Sequence, residues 1–361
     1  MFFRVADLER PVFWHDEVYT KFFAAGYQSQ DWQGALFTGQ VLDVDALRRF
    51  QRHDPTRSVA DTVAGLARDE PQHPPLYYVL ARLWVSCFGD GVATLRLLSV
   101  LLGLLALPAM GWLAWELFDD RRVAWAAVLA VALSPYFVLY AREAREYALW
   151  GALTLAANAQ LLRALRHTTA STRRQIAEWG AFALLTALSL YTAFSAAGVI
   201  LGQVLFICWR ERLRFTRASL SAAGAMAVAA LLFLPWALVL HARLEAFQAS
   251  MAWSRDIVIP RTELLSLLAS NLSRPLVDGW ADASGAAWIA VAAAVLLLAV
   301  ATASLLRAAP GKAAPPPAGG RGARRPAPGA GPAVRGDPLG LRPLPDPHGA
   351  HGAAGPRLAA G

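Results

Sequence analysis

The alternation of polar and apolar stretches divides the chain into three regions. Residues 1–75 mix polar, charged and apolar side chains, and they carry far too much charge to cross a bilayer. Short helices are predicted there, because apolar residues such as Val59, Val63 and Leu66 recur at helical spacing. From residue 95 onward, apolar stretches approach the ~20 residues that a membrane-spanning helix needs. They predict about seven spans, at 95–118, 123–141, 147–165, two within 179–209, 218–240 and 286–306.

Two apolar stretches need a more specific interpretation. The run 179–209 has no charged residue over 31 positions, which at ~1.5 Å per residue is too long for one upright span. It predicts two helices that are broken near Tyr191–Ser195. The stretch 76–88 is apolar but contains Arg82, and an arginine at the bilayer midplane costs at least ~2.5–3.5 kcal/mol. We therefore expect this helix to lie along the membrane interface.

Arginines between the predicted spans indicate the orientation of the chain. Assigning three arginine-bearing loops to the cytoplasm satisfies the positive-inside tendency. These loops contain Arg121/Arg122, then Arg163/Arg166/Arg173/Arg174, then Arg210/Arg212/Arg214/Arg217. Alternation then places residues 1–94, the turn 141–147 and the loop 241–285 on the extracytoplasmic side.

These patterns predict an all-α fold, a polytopic transmembrane helical bundle. Residues 1–94 form a helical extracytoplasmic loop, and 95–307 form the bundle with its outer loop 241–285. Residues 308–361 contain 12 Pro and 12 Gly and no aromatic residue, which predicts a disordered tail. Because no apolar span precedes residues 1–94 and the composition changes abruptly after Arg307, we also expect a truncated N-terminus and an altered C-terminus.

The overall composition agrees with a membrane protein and excludes a nucleic-acid partner. The chain is 56% hydrophobic and only 17% charged, whereas soluble domains carry about 25% charged residues. Of the net charge of +8, the tail supplies +5 from seven basic and two acidic residues, so the body carries only +3. The body shows no clustered basic face of the kind that binds nucleic acid. Cys87 and Cys208 lie in apolar stretches and are expected to be small buried residues.

An adjacent pair of acids is the first candidate for chemistry. Asp16 and Glu17 follow Trp14 and precede Tyr19, so they sit in a partly apolar setting. Such a pair suits a general base that deprotonates an acceptor hydroxyl, with its neighbour orienting groups or binding a metal. The alternative is a pair in a solvated loop or at the start of a helix, since acids favour the first turn of a helix.

Two further motifs could contact a substrate. His73 stands before Pro74-Pro75, and this pattern fits either a substrate or metal contact or simply a stiff turn that opens a helix. Arg142 and Arg145 lie in the turn before Tyr147. Their guanidinium forks could bind phosphate bidentately, or they could extend to the interface while pairing with neighbouring glutamates.

Four motifs in order carry a family resemblance: 13–20 (FWHDEVYT), 70–78 (EPQHPPLYY), 95–99 (LRLLS) and 141–147 (AREAREY). Together they resemble the GT-C membrane glycosyltransferases of the protein O-mannosyltransferase (family 39) type, including their bacterial relatives. The resemblance covers roughly residues 4–285. Two departures are Ala193, where a His is expected in many relatives, and the missing first span.

The resemblance implies a transferase that takes its sugar from a polyprenyl-phosphate donor. It makes Asp16 the candidate catalytic base and Glu17 a second acid at the donor or acceptor. Arg142 and Arg145 become candidates for the donor phosphate, and His73 and Tyr147 join them as substrate-binding residues. No cofactor is certain, and a divalent metal stays open because no ligand spacing predicts one.

The implied partners are the lipid-linked sugar, a hydroxyl acceptor of unknown type (protein, lipid or glycan) and the lipid bilayer. The implied location is a bacterial inner membrane, which the chain would cross several times. The alternatives are a transporter or flippase for lipid-linked sugars, or a catalytically inactive relative. Transporters tend to place ionisable groups at mid-membrane. Here the predicted spans are nearly free of charge and the ionisable residues gather at one face, which favours chemistry on a lipid headgroup.

Overall fold

The computed structural model describes residues 2–168 and 171–252, with isolated positions between 258 and 296. Within this part of the chain every regular element is a helix and no strand occurs, which confirms the all-α prediction. The polar N-terminal region forms five short helices. They are α1 (Phe2–Val5), α2 (His15–Ala25), α3 (Ser29–Leu36), α4 (Val44–Arg49) and α5 (Val59–Asp69).

Ten helices follow in the apolar region. They are α6 (Leu76–Phe88), α7 (Val92–Leu104), α8 (Ala106–Phe118), α9 (Arg121–Leu133), α10 (Pro135–Ala141), α11 (Tyr147–Arg166), α12 (Thr172–Thr192), α13 (Ala196–Arg210), α14 (Arg217–Ala242) and α15 (Leu244–Ser250). The gap between α12 and α13 falls at 193–195, within the segment where the long apolar run was expected to break.

The number of spans agrees with the prediction only in part. Among the described residues, Val92–Phe118 and Arg217–Ala242 are long and apolar enough to cross a membrane. The pair α9–α10, bent by 56° at Ser134, makes a third if it counts as one span. Most of the predicted span 286–306, about half of the outer loop 241–285 and the tail 308–361 lie outside the described residues.

Helix α2, which carries the acidic pair, has clear boundaries. Asp16 and Glu17 occupy its first turn, where their charge complements the positive end of the helix dipole. It is capped by Gly26, whose φ of 87° favours glycine, and a Cβ added there would lie only 2.9 Å from the Cβ of Arg57. The interpretation of the pair as acids at a helix start is therefore correct about its location.

A continuous apolar core joins the polar N-terminal region to the apolar helices. Phe23 of α2 and Leu66 of α5 pack with Tyr78 of α6, and the cluster extends to Leu95 of α7 and Trp236 of α14. Burial of each such side chain contributes ~1.5–3 kcal/mol. The N-terminal region is thus seated on the helical bundle rather than attached to it by a flexible tether.

Arg82 is buried against this core, whereas the prediction for α6 assumed that this arginine lies at the membrane interface. The side chain is 4% exposed and donates to the backbone carbonyls of Ala24 and Ala25 at 3.1 and 2.8 Å. It also donates to the carbonyls of Asp54, at 2.7 Å, and Arg57. The guanidinium therefore satisfies the ends of the N-terminal helices instead of extending toward lipid headgroups. The interfacial position of α6 itself stays a prediction.

The prediction that both cysteines are buried is wrong. Cys87 is exposed near the end of α6, and Cys208 is half-buried on α13. Both positions are apolar in sequence, but Cys87 falls on the outer face of its helix.

Candidate active site

A cavity of about 330 Å³ opens where α2, the 70–73 loop and the α10–α11 turn meet. Each element brings side chains that can act on a substrate. The lining includes Asp16 and Tyr19 from α2, Glu70 and His73 from the loop, and Arg145 and Tyr147 from the turn and the start of α11. The structure therefore brings together four of the residues that the sequence singled out, namely Asp16, His73, Arg145 and Tyr147.

Asp16 lines this cavity with a partly exposed carboxylate. Its side chain is 32% exposed, so a substrate hydroxyl can reach it. The Nδ1 atom of His15 lies 3.3 Å from Oδ1, and the Nη2 atom of Arg145 lies 4.0 Å from Oδ2. Asp16 thus combines access to the cavity with a cation beside it.

Arg145 is held rigidly although it lines the cavity. It is 3% exposed, and its Nη1 donates to the Tyr78 hydroxyl at 3.1 Å and to the Asp16 carbonyl at 3.4 Å. Its Nε lies 3.3 Å from Oε2 of Glu146. Burial by itself lowers the pKa of Arg145, but Tyr78 and Glu146 outweigh that effect and raise it, so the guanidinium stays cationic. A fixed cation at a partly open cavity suits an anionic group of a substrate.

Two glutamates near the cavity have opposite electrostatic environments. Burial raises the pKa of Glu70, an effect that His73 and Gln72 offset only in part. Burial also acts to raise the pKa of Glu146, but Arg145 and His73 outweigh it and lower the pKa. The Nδ1 atom of His73 lies 3.6 Å from Oε1 of Glu146. Glu146 therefore stays ionised and links two candidate substrate-binding side chains, those of His73 and Arg145.

Glu17 does not line the cavity, in contrast to its predicted role at the donor or acceptor. Its side chain is fully buried and forms a bidentate pair with Arg96, at 2.8 and 2.6 Å. Its Oε1 also accepts the backbone N–H of Ala144 at 2.8 Å. The carboxylate of Glu17 therefore connects the first turn of α2 to α7 and to the α10–α11 turn.

Arg96 extends this network toward the N-terminus. It is 1% exposed and donates to the carbonyls of Leu8, Pro11 and Val12 at 2.6, 3.0 and 3.0 Å. A buried charged pair of this kind is costly unless its hydrogen-bonding groups are satisfied, and here the backbone satisfies them. The segment that leads into α2 is therefore attached to α7.

Arg142 is not brought to Asp16, although Arg145 is. Its Nη2 donates to the carbonyls of Ala6 and Asp7 at 2.8 and 3.2 Å. It lines a separate groove between the N-terminal segment and the α9–α10 bend. The two arginines therefore line different cavities, and phosphate binding by either of them stays a prediction.

Sequence reasoning assigned no role to several residues that shape the site. Arg96, Glu70 and Tyr78 fall within the motifs that carry the resemblance, and Glu146 lies in the same turn as Arg145. The sequence does carry a signal for Arg96: it is a charged residue in an otherwise apolar helix, and such a charge requires a partner. Nothing in the spacing indicates that Glu70 would line the same cavity as Asp16.

The described residues give no assignment of a metal ion. In this part of the chain no group of three or more His, Cys, Asp or Glu side chains is placed to hold one.

A comparison with known protein families finds a match to part of the chain. Residues 72–238 match the family model described as dolichyl-phosphate-mannose-protein mannosyltransferase. This part of the chain is similar to that family. The matched part contains His73, Arg145 and Tyr147, whereas Asp16 lies before it. The match supports the resemblance found in the sequence, to mannosyltransferase-like GT-C membrane glycosyltransferases.

Searches of curated proteins and of solved structures each give no match. The family match and the apolar helices together support a membrane location.

Proposed function

We propose that the chain is a membrane glycosyltransferase that moves a sugar from a polyprenyl-phosphate donor to a hydroxyl acceptor on the extracytoplasmic face. The observation that carries this proposal is the placement of Asp16 beside Arg145, 4.0 Å apart in one cavity. A base and a fixed cation are the two groups that such a transfer needs. The family match adds the class of donor, a lipid-linked sugar.

In the proposed reaction Asp16 accepts the proton of the acceptor hydroxyl as that oxygen attacks the anomeric carbon of the sugar. The bond between this carbon and the phosphate oxygen breaks in the same displacement, through an oxocarbenium-like transition state. The bonding electrons leave with the polyprenyl phosphate, which gains negative charge. Arg145 stabilises this charge, and because it is already oriented by Tyr78 and Glu146, it needs little reorganisation.

The other predicted site residues support these two roles. His73, which faces Glu146, and Tyr147, at the start of α11, line the same cavity and are placed to contact the donor headgroup. Glu17 acts through Asp16: with Arg96 and the Ala144 N–H it fixes the first turn of α2. Their roles are therefore binding and positioning, respectively.

The proposed location is the bacterial inner membrane, which the chain crosses several times. The positive-inside tendency places Asp16 and Arg145 outside, where a lipid-linked sugar presents its headgroup. The two or three spans found among the described residues are compatible with this arrangement.

The test is donor consumption by the full chain in proteoliposomes that contain polyprenyl-phosphate mannose. Asp16→Asn should lower turnover at least ~100-fold, since general base catalysis contributes about 10²–10⁴-fold. Glu9→Gln, an exposed acid before α2, is the matched control and should leave turnover unchanged. Equal thermal stability of the Asn variant would show that the fold is intact.

Undiminished turnover in Asp16→Asn would remove Asp16 from the base role. Donor that crosses the bilayer without being consumed by the unmodified chain would indicate a transporter instead.

A further inference from the structure

The groove that contains Arg142 is a second cavity, of about 560 Å³. The turn after α1 forms one wall through Asp7, Arg10 and Pro11. The bend between α9 and α10 forms the other wall, with Leu133 and Val138 among its apolar residues. The groove therefore has a polar wall and an apolar wall, which is the pattern of a site for an amphiphile.

The polar wall has an excess of positive charge and unused donors. Arg10 and Arg142 face a single carboxylate in the lining, that of Asp7. Arg10 is exposed, and its side chain makes no hydrogen bond or ion pair with the described residues. The Nε of Arg142 is buried and has no partner in this part of the chain. A buried N–H without a partner is unfavourable, so an oxygen ligand at this position would satisfy it.

The apolar wall belongs to a surface suited to lipid. The bent pair α9–α10 is the third candidate span, and Leu129, Leu133 and Leu139 on it are 58%, 65% and 45% exposed. Exposed leucines on a membrane-crossing helix contact acyl chains. The groove thus lies where the headgroup of a lipid beside α9–α10 would meet two arginines.

We propose that this groove binds the phosphate of a glycerophospholipid with a net negative headgroup, whose acyl chains lie along α9–α10. Arginine forks match phosphate oxygens geometrically, and the groove's net charge favours an anionic over a zwitterionic headgroup. The site is separate from the Asp16 cavity, because no residue lines both. The inference stands apart from the proposed function.

A bound lipid would also stabilise the approach to Asp16. Arg142 already contacts the carbonyls of Ala6 and Asp7, and Arg96 contacts those of Leu8 and Pro11. A phosphate shared by Arg10 and Arg142 would add a third attachment to the same segment. Lipid occupancy should therefore increase the protection of this segment from proteolysis.

The test is native mass spectrometry of the full chain, exchanged from nanodiscs that contain equal amounts of phosphatidylglycerol and phosphatidylcholine. We expect the retained lipid to be phosphatidylglycerol. Arg10→Gln should reduce its retention about fivefold, the factor equivalent to the ~1 kcal/mol contributed by one arginine near an anionic surface. Because Arg10 is exposed and makes no side-chain contact that holds the fold, this variant should fold normally. Arg142→Gln should reduce retention at least as much.

Arg122→Gln is the matched control, since Arg122 lies on the same helix α9 at its opposite end. It should leave retention unchanged. Equal retention of the two lipids, an equal loss in Arg122→Gln, or a bound mass that corresponds to a polyprenyl phosphate would each overturn the proposal. If the unmodified chain retains phosphatidylglycerol but transfers no sugar, that result would instead count against the proposed function alone.

Discussion

Breaking the Glu17–Arg96 pair tests whether a fully buried ion pair holds the first turn of α2 in place. Both side chains are at most 1% exposed, and the two charged hydrogen bonds measure 2.8 and 2.6 Å. Removing one partner of a buried pair costs ~3–5 kcal/mol, because the other charge stays buried without its counterion. In Glu17→Gln, Arg96 keeps three carbonyl acceptors, so we expect a cost near the lower limit, ~3 kcal/mol.

Thermal unfolding in detergent, followed by tryptophan fluorescence, measures this cost. A loss of ~3 kcal/mol corresponds to a decrease in Tm of roughly 6–12 °C for a domain of 150–250 residues. Arg96→Met should cost at least as much. The double variant should lose less than the sum of the two single losses, because it leaves no buried charge unpaired.

The pair Asp45–Arg48 provides the control, because its side chains are 69% and 63% exposed at 3.7 Å. Asp45→Asn should change Tm by at most ~4 °C, since exposed pairs contribute ~0–1 kcal/mol. Additive losses in the Glu17–Arg96 double variant would refute the reasoning, because additivity means that the two side chains do not interact energetically.

Two further predictions concern the pH dependence and the internal attachment of the N-terminal region. Burial, with the charge of Glu17, raises the pKa of Glu143 from 4.5 to about 7, so its stabilising contribution is complete below pH 4.5 and is lost as the pH rises through 7. Glu143→Gln should therefore raise the Tm relative to the unmodified chain at pH 8 and not at pH 4.5, and equal Tm differences at the two pH values would contradict this. Arg82→Lys should lower the Tm by several degrees and expose residues 1–69 to limited proteolysis, because one ammonium cannot reach the four carbonyls that the planar guanidinium satisfies. A proteolysis pattern like that of Arg52→Lys, a variant at an exposed position, would contradict this prediction.

Much of the fold could be predicted because helices leave local signals. Apolar run lengths predicted helices throughout the described part of residues 95–242, and the helix break at 193–195 followed from the length of the run 179–209. The burial of Arg82 could not be predicted, because the carbonyls that accept its hydrogen bonds lie 25 to 58 positions earlier in the chain. The sequence shows that such an arginine needs partners, whereas only the fold identifies them.

Helix geometry explains why one acid of the predicted catalytic pair faces the cavity and the other does not. Successive residues of an α-helix point about 100° apart, because one turn holds 3.6 residues. Asp16 and Glu17 are adjacent in the first turn of α2, so both could not face the same cavity. An adjacent acidic pair on a helix is therefore better interpreted as one reactive group and one group that holds it than as two catalytic acids.

Local backbone structure also explains why Arg142 and Arg145 point in different directions. Residues three apart on a helix share a face, so Arg142 and Arg145 would point the same way if the chain were helical there. They lie instead in the turn between α10 and α11, which leaves their directions free to differ. Arg145 points to Asp16 and Arg142 to the carbonyls of Ala6 and Asp7. One short motif thus supplies a cation to each of two sites, and substitutions at its two arginines should separate sugar transfer from lipid retention.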